Sequence, residues 1–155
     1  MHASAVATDS CKGYLFLGIS VTGKRTDSGL WLQQFSDCHL LNDDNPIVHV
    51  DSLGKQATVF GSPWSGKTPC YRKESMTVGA FVRLEQAPQN EIEQERAAHA
   101  FATLLPSCSC LKQNKEIYNA IVTTVTELAT LAPVYHLKCL HDREAPELCR
   151  KTVEG

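Results

Sequence analysis

The chain has 155 residues, 43% of them apolar and 21% charged, with a net charge of −2. That is enough chain for one domain with a core of its own, and the balance gives no electrostatic footprint for nucleic acid. No apolar run approaches a membrane span, and the start lacks a signal-peptide core. Seven cysteines without an export signal read as reduced thiols and a cytoplasmic protein, with no nucleic-acid or membrane partner.

Residues 3–7 with Thr8 predict a strand, and Asp9 to Gly13 a turn into a second strand over 14–17. The chain then passes through Gly18-Ile19-Ser20-Val21-Thr22-Gly23-Lys24, and Leu30, Trp31 and Phe35 follow at helical spacing. Asp27 and Ser28 suit the first turn of a helix running to about Phe35. Residues 38–42 form a short apolar run ending at Asp43-Asp44, and Asn45-Pro46 forces a turn. Residues 47–50 and 57–60 predict a hairpin closed over 51–54, and 77–85 a stronger strand around Phe81. Asn90 predicts the cap of a helix over 91–105, which Pro106 to Cys110 breaks. Ile117, Ile121, Val122, Val125 and Leu128 define an amphipathic helix over 114–131. A strand after Pro133 and a short helix over 146–153 complete a mixed α/β domain.

The stretch with the clearest chemistry is the passage from the second strand into the first helix. A strand, a loop framed by Gly18 and Gly23 with Lys24 after it, then a helix is the layout of a phosphate-binding loop. Amides of the loop, with Ser20 and Thr22 in it, and the helix N-terminus would point at phosphates, with the lysine as a point charge. The usual pattern ends in a hydroxyl that ligates magnesium; here Arg25 stands at that position and Thr26 one residue late. The loop reads as an eroded phosphate loop, against the blander reading of an ordinary glycine-bearing turn. Gly-Ser-Pro-Trp-Ser-Gly-Lys-Thr at 61–68 spells the motif completely, but Pro69 follows and no helical stripe does. Its Gly66 and Lys67, with Arg72 beyond, are candidates for a substrate or phosphate loop.

Asp43-Asp44 falls at the end of a predicted strand, where an acidic pair can hold magnesium and take a proton from an attacking hydroxyl. His2 is a candidate acid/base or phosphate contact on the strand that feeds the loop. Cys108-Ser-Cys110 and His136-x2-Cys139-x-His141 raise a metal-binding reading, but neither has structural-zinc spacing, so inert thiols are expected.

Taken in order, these pieces resemble a known family. His2-Ala-Ser-Ala-Val, Gly-Tyr-Leu-Phe-Leu-Gly with its loop, Leu-Leu-Asn-Asp-Asp-Asn-Pro, Gly-Ser-Pro-Trp-Ser-Gly-Lys-Thr, Leu-Glu-Gln-Ala-Pro and Leu-Leu-Pro-Ser-Cys-Ser-Cys span almost the whole chain. The set is similar to small bacterial relatives of the catalytic domain of HPr kinase/phosphorylase, in the phosphoenolpyruvate-carboxykinase-like group. The resemblance implies an ATP-binding α/β domain with a mixed sheet and a P-loop, using Mg2+ to move a phosphoryl group to a protein serine or another hydroxyl acceptor. It implies His2 as the histidine before the loop, Asp43 as general base, Asp44 as its acidic neighbour at the metal, and Lys24 on the phosphates. It also implies a homo-oligomer.

The subgroup's loop reads Gly-Pro-Ser-Gly-Thr-Gly-Lys-Ser-Thr; here Ile19 replaces proline, Val21 a glycine and Arg25 the hydroxyl residue. Thr26 is no simple substitute, because one helical step turns a side chain by ~100°. The expectation is therefore one domain over 1–155, leaning to an ATP-dependent kinase-like phosphotransferase with an eroded Walker A loop. The alternative is a degenerate, non-catalytic nucleotide-binding or regulatory module. The abrupt start reads as the carboxy-terminal part of a longer protein or as a short family member.

Overall fold

The computed structural model describes residues 1–18, 24–66, 69–70, 72–110, 112–140 and 142–155, the side chains of 24–27 apart. Eight strands form one mixed sheet: β1 (Ala3–Thr8), β2 (Lys12–Leu17), β3 (Cys38–Asn42), β4 (Ile47–Asp51), β5 (Gln56–Phe60), β6 (Ser75–Gln86), β7 (Glu91–Gln94) and β8 (Val134–Cys139). Among the described residues four α-helices accompany them, α1 (Lys24–Gln34), α2 (Ala97–Leu104), α3 (Lys115–Leu131) and α4 (Glu144–Glu154), with a 3-10 turn (Leu105–Ser107) after α2. The mixed α/β class is as the sequence predicts.

The twelve-residue β6 is the spine. β2 lies parallel along one edge of it; the other edge is shared by β5, antiparallel at the start, and β8, parallel at the end. β1 and β3 extend the sheet beyond β2, β4 beyond β5, and β7 beyond β8. Because β1 is antiparallel to both its neighbours, β3, β2, β6 and β8 all point one way.

Both faces of the sheet are apolar, so both need cover. Ala3, Ala5, Ala7, Leu15, Leu17 and Phe81 pack under Ala100 and Leu104 of α2 and Val125 and Leu128 of α3. Val6, Tyr14, Phe16, Val82 and Leu137 pack under Trp31 of α1 and Ala145 and Cys149 of α4. Trp31 sits with its centroid 5.3 Å from Tyr14 and 5.4 Å from both Phe16 and Phe35, which seats α1 on β2. Burial, and then the Glu154 carboxylate, push the Tyr14 phenol up to about 12.

One element departs from expectation. In place of a helix over 91–105, residues 91–94 form β7 and the helix begins at Ala97. Glu-Ile-Glu-Gln alternates with period two and pairs with β8, which offers it a free edge. Asn90 caps no helix: its Nδ2 donates to Asp142 Oδ1 at 3.0 Å and its Oδ1 accepts from the Leu140 amide at 3.0 Å. Asn114 does cap α3, accepting from the Ile117 amide at 3.1 Å.

Arg150 clamps α4 to the turn between α1 and β3. Its Nη1 and Nη2 donate to Asp37 Oδ1 and Oδ2 at 2.7 and 2.5 Å, and its guanidinium lies 4.4 Å from the Phe35 centroid. That fork, chiefly through its hydrogen bonds, holds the Asp37 carboxyl at about 2. A depressed carboxyl stabilises the fold above its ordinary pKa and loses that contribution as pH falls toward the native value. Stability monitored by circular dichroism should therefore fall between about pH 4 and pH 2, and Asp37→Asn should flatten that limb while lowering stability at neutral pH.

Candidate functional site

The strand directions place the carboxyl ends of β2 and β3 and the amino end of β1 on one edge of the sheet. The pairing there is continuous: the Ala3 amide donates to the Asp44 carbonyl at 3.1 Å, Ala3 lies opposite Leu17, Leu17 opposite Arg83, Arg83 opposite His136, and His136 opposite Glu93. Since paired residues share a face, this is a transverse row across five strands on the side covered by α2, with the turn after β3 at its end. Two clefts lie over it. One, of about 540 Å³, is lined by His2, Leu17, Gly18, Arg83, Glu85 and residues of the α2 region. The other, of about 480 Å³, runs on from Arg83 to Arg96, His99 and His136.

Several residues singled out by sequence meet at this edge. His2 Nδ1 lies 3.3 Å from Asp44 Oδ1, both side chains about half exposed. The His2 amide donates to the Ser107 carbonyl at 2.6 Å, so the first residues are tied to the 3-10 turn that follows α2 as well as to the turn after β3. Gly18 lines the first cleft directly after β2. Asp43 is half-buried in the same turn as Asp44. Lys24, Arg25 and Thr26 form the start of α1, their side chains lying outside the described residues, as do Ser20, Thr22 and Gly23.

The second glycine-lysine motif has a different setting. Gly66 is an exposed bend in the connection from β5 to β6, and no helix follows before β6 among the described residues; Lys67 lies outside them. Arg72 is exposed and pairs with Glu74 at 3.3 Å. His39 Nε2, 2.7 Å from Glu74 on the other side, is the larger reason that carboxyl sits below its usual range. Cys70 fastens this connection to β3, its thiol 3.4 Å from the Leu40 and Leu41 carbonyls.

Asn42, which the sequence marks only as the end of an apolar run, joins the two regions. It is fully buried. Its Oδ1 accepts from the Asp44 and Asn45 amides at 3.0 and 2.7 Å. Its Nδ2 donates to Ser62 Oγ at 3.1 Å and to the Trp64 carbonyl at 2.9 Å. One amide thus shapes the acidic turn and lays the 61–66 loop beside it. Arg83 and Glu85 carry no signal in sequence, and His136 carries only the metal reading, because only the β2–β6–β8 register brings Arg83 and Glu85 to the first cleft and Arg83 and His136 to the second.

His136 and Cys139 are three apart on β8, so they face opposite sides of the sheet and cannot share a metal. Cys139 is in the core, and His136 Nε2 lies 2.8 Å from Glu85 Oε2; His141 lies outside the described residues. Among the described residues no group of three or more His, Cys, Asp or Glu is placed to hold a metal ion. No helix among them is long and apolar enough to cross a membrane.

No family model and no curated protein matches the chain. Among solved structures, the HPr(Ser) kinase/phosphatase from Coxiella burnetii aligns with a TM-score of 0.49 at 12% identity, over 99% of this chain and 93% of that one. A likeness this loose carries no argument about chemistry, which rests on the geometry of the edge itself.

That geometry offers a turn with two carboxylates, a histidine bound to one of them, and the end of β2 with Gly18 on the same edge. Asn42→Ala should lower stability by about 3 kcal/mol, since it takes the acceptor from two part-buried amides and the donor from Ser62 Oγ and the Trp64 carbonyl, and leaves a void at a fully buried side chain. Urea denaturation measures that loss, and Trp64 fluorescence should change with it as the 61–66 loop loosens.

Proposed function

We propose that the chain is an ATP-binding, HPr kinase-like phosphotransferase domain that transfers a phosphoryl group to a hydroxyl acceptor, a protein serine or another alcohol. The observation that carries this reading is the meeting of His2, Gly18 and the Asp43-Asp44 turn at one sheet edge, with α1 beginning at Lys24. Loop amides and the start of α1 suit an anion, and the Lys24 ammonium adds a point charge for the phosphates.

The acidic turn fits Mg2+, which binds through one or two carboxylates and keeps waters and phosphate oxygens besides. Asp44, with Asp43 beside it, would hold the ion, whose chemistry there is to offset phosphate charge. His2 orients Asp44 through the 3.3 Å contact. Asp43 accepts the proton of the acceptor hydroxyl on a carboxylate oxygen while the hydroxyl oxygen bonds to the γ-phosphorus of ATP and the bond from that phosphorus to the ADP oxygen breaks, releasing ADP.

A second reading, a nucleotide-binding module without turnover, is favoured by Arg25, which takes the place of the usual hydroxyl ligand, and by Val21 in the loop. Titration calorimetry with ATP, with and without Mg2+, separates the two. Lys24→Ala should weaken ATP binding roughly 10- to 100-fold, the worth of one charged hydrogen bond. Asp44→Asn should abolish the Mg2+ enhancement. Asp43→Asn should leave affinity in place and slow transfer roughly 100- to 10,000-fold. Binding indifferent to Mg2+ without turnover selects the second reading; no binding of ATP at all sinks both.

A further inference from the structure

The row across the sheet continues beyond the residues given roles so far. Arg83 stands one strand over from Leu17, roughly 5 Å away, at the point where the two clefts join. It lines both, together with Ala102 and Thr103 of α2. A solute reaching the second cleft from the loop edge passes this guanidinium.

Arg83 is held there without being saturated. Its Nε is buried and has no hydrogen-bond partner, although Glu95 Oε1 is 3.5 Å away. Its Nη2 lies 3.0 Å from Nδ1 and 3.1 Å from Nε2 of the His136 ring, while Glu85 Oε2 is 3.9 Å off. Both carboxylates already have nearer partners. Glu95 accepts from Thr103 Oγ1 at 2.6 Å, and Glu85 Oε2 is 2.8 Å from His136 Nε2. The imidazole thus lies between the two, Nε2 against Glu85 and the ring against Arg83. The Arg83 side chain is 41% exposed, against 8% for Glu95, so it is the cation and not that carboxylate which meets the cleft. Arg96 and His99 add further basic groups on the far side, with Glu93 the exposed carboxylate among them.

We propose that the joined clefts are the acceptor subsite and that Arg83 takes an oxyanion of the acceptor, a carboxylate or phosphate carried beside its hydroxyl. This rests on the phosphotransfer reading of the adjoining edge. A guanidinium fork suits either oxyanion, and one bound at the exposed end leaves Nε to close on Glu95. Arg83 is in these terms a specificity-determining residue: it selects acceptors by charge, while Asp43 acts on the hydroxyl.

Arginine Nε–H groups give their own signals in nitrogen-15 correlation spectra, so the test can be read at the atom concerned. Labelled full-length chain is titrated with sodium acetate in one arm and inorganic phosphate in the other. The expected result is a saturable shift of the Arg83 Nε–H signal in at least one arm, acetate alone marking a carboxylate acceptor and phosphate alone a phosphate-bearing one. Arg83→Lys, which keeps the charge and loses the fork, should weaken the response at neighbouring His136 and Thr103 at least tenfold. Lys24→Ala should leave it unchanged, which separates this cleft from anions caught at the loop. A flat signal, or a linear drift shared by all arginines, overturns the proposal even if ATP binds. Loss of ATP binding with the saturable Arg83 response intact overturns the nucleotide reading and leaves an oxyanion cleft.

Discussion

Everything at the candidate site depends on how β2 registers against β6. The two strands run parallel, and β6 carries one residue more than β2 across the pairing: Val78 lies opposite Gly13, Ala80 opposite Tyr14, and Gly79 is the extra residue between. A Cβ at Gly79 would come within 2.7 Å of the Tyr14 ring, so glycine is what lets the bulge and the ring coexist. The bulge inverts the alternation of β6. Before it Val78 faces α2 and α3; after it Phe81 does, while Ala80, Val82 and Leu84 face α1 and α4. Without that one residue, Arg83 would face α1 and the row from Asp44 to Glu93 would not exist.

The same register explains why the edge can be both polar and stable. Apolar packing on the two faces holds the strands, and Ala3 and Leu17 form a small, flat floor between the charged groups. Polar side chains at the edge are then tied in pairs: His2 with Asp44, His136 with Glu85, Glu95 with Thr103. Each tie offsets the cost of taking a titratable group partly or almost wholly out of water. Asn42, itself fully buried, does the same for the part-buried amides of Asp44 and Asn45. Trp31 supplies the mechanical counterpart, since its packing against Tyr14 and Phe16 fixes the start of α1 relative to the end of β2.

Local signals in the sequence were reliable where one periodicity had no rival. The hairpin of β4 and β5, the amphipathic α3 with its Asn114 cap, and the passage from β2 to α1 follow from neighbouring residues. They failed at residues 91–94. Glu-Ile-Glu-Gln suits either a helix start or a strand, and the free edge of β8, more than forty residues away in sequence, decided for a strand. Asn90 was drawn to Asp142 and Leu140 for the same reason.

The sequence by itself determined the α/β class, the glycine-bounded segment between a strand and a helix, and the acidic pair after Asn42, because each is written in adjacent residues. Only the tertiary structure decided that His2 meets Asp44, that Asn42 joins the acidic turn to the 61–66 loop, and that Arg83, Glu85 and His136 meet where two clefts adjoin. Those contacts lie 20 to more than 50 residues apart along the chain. They exist through strand register and a single bulge, and neither leaves a periodic trace that local reading can find.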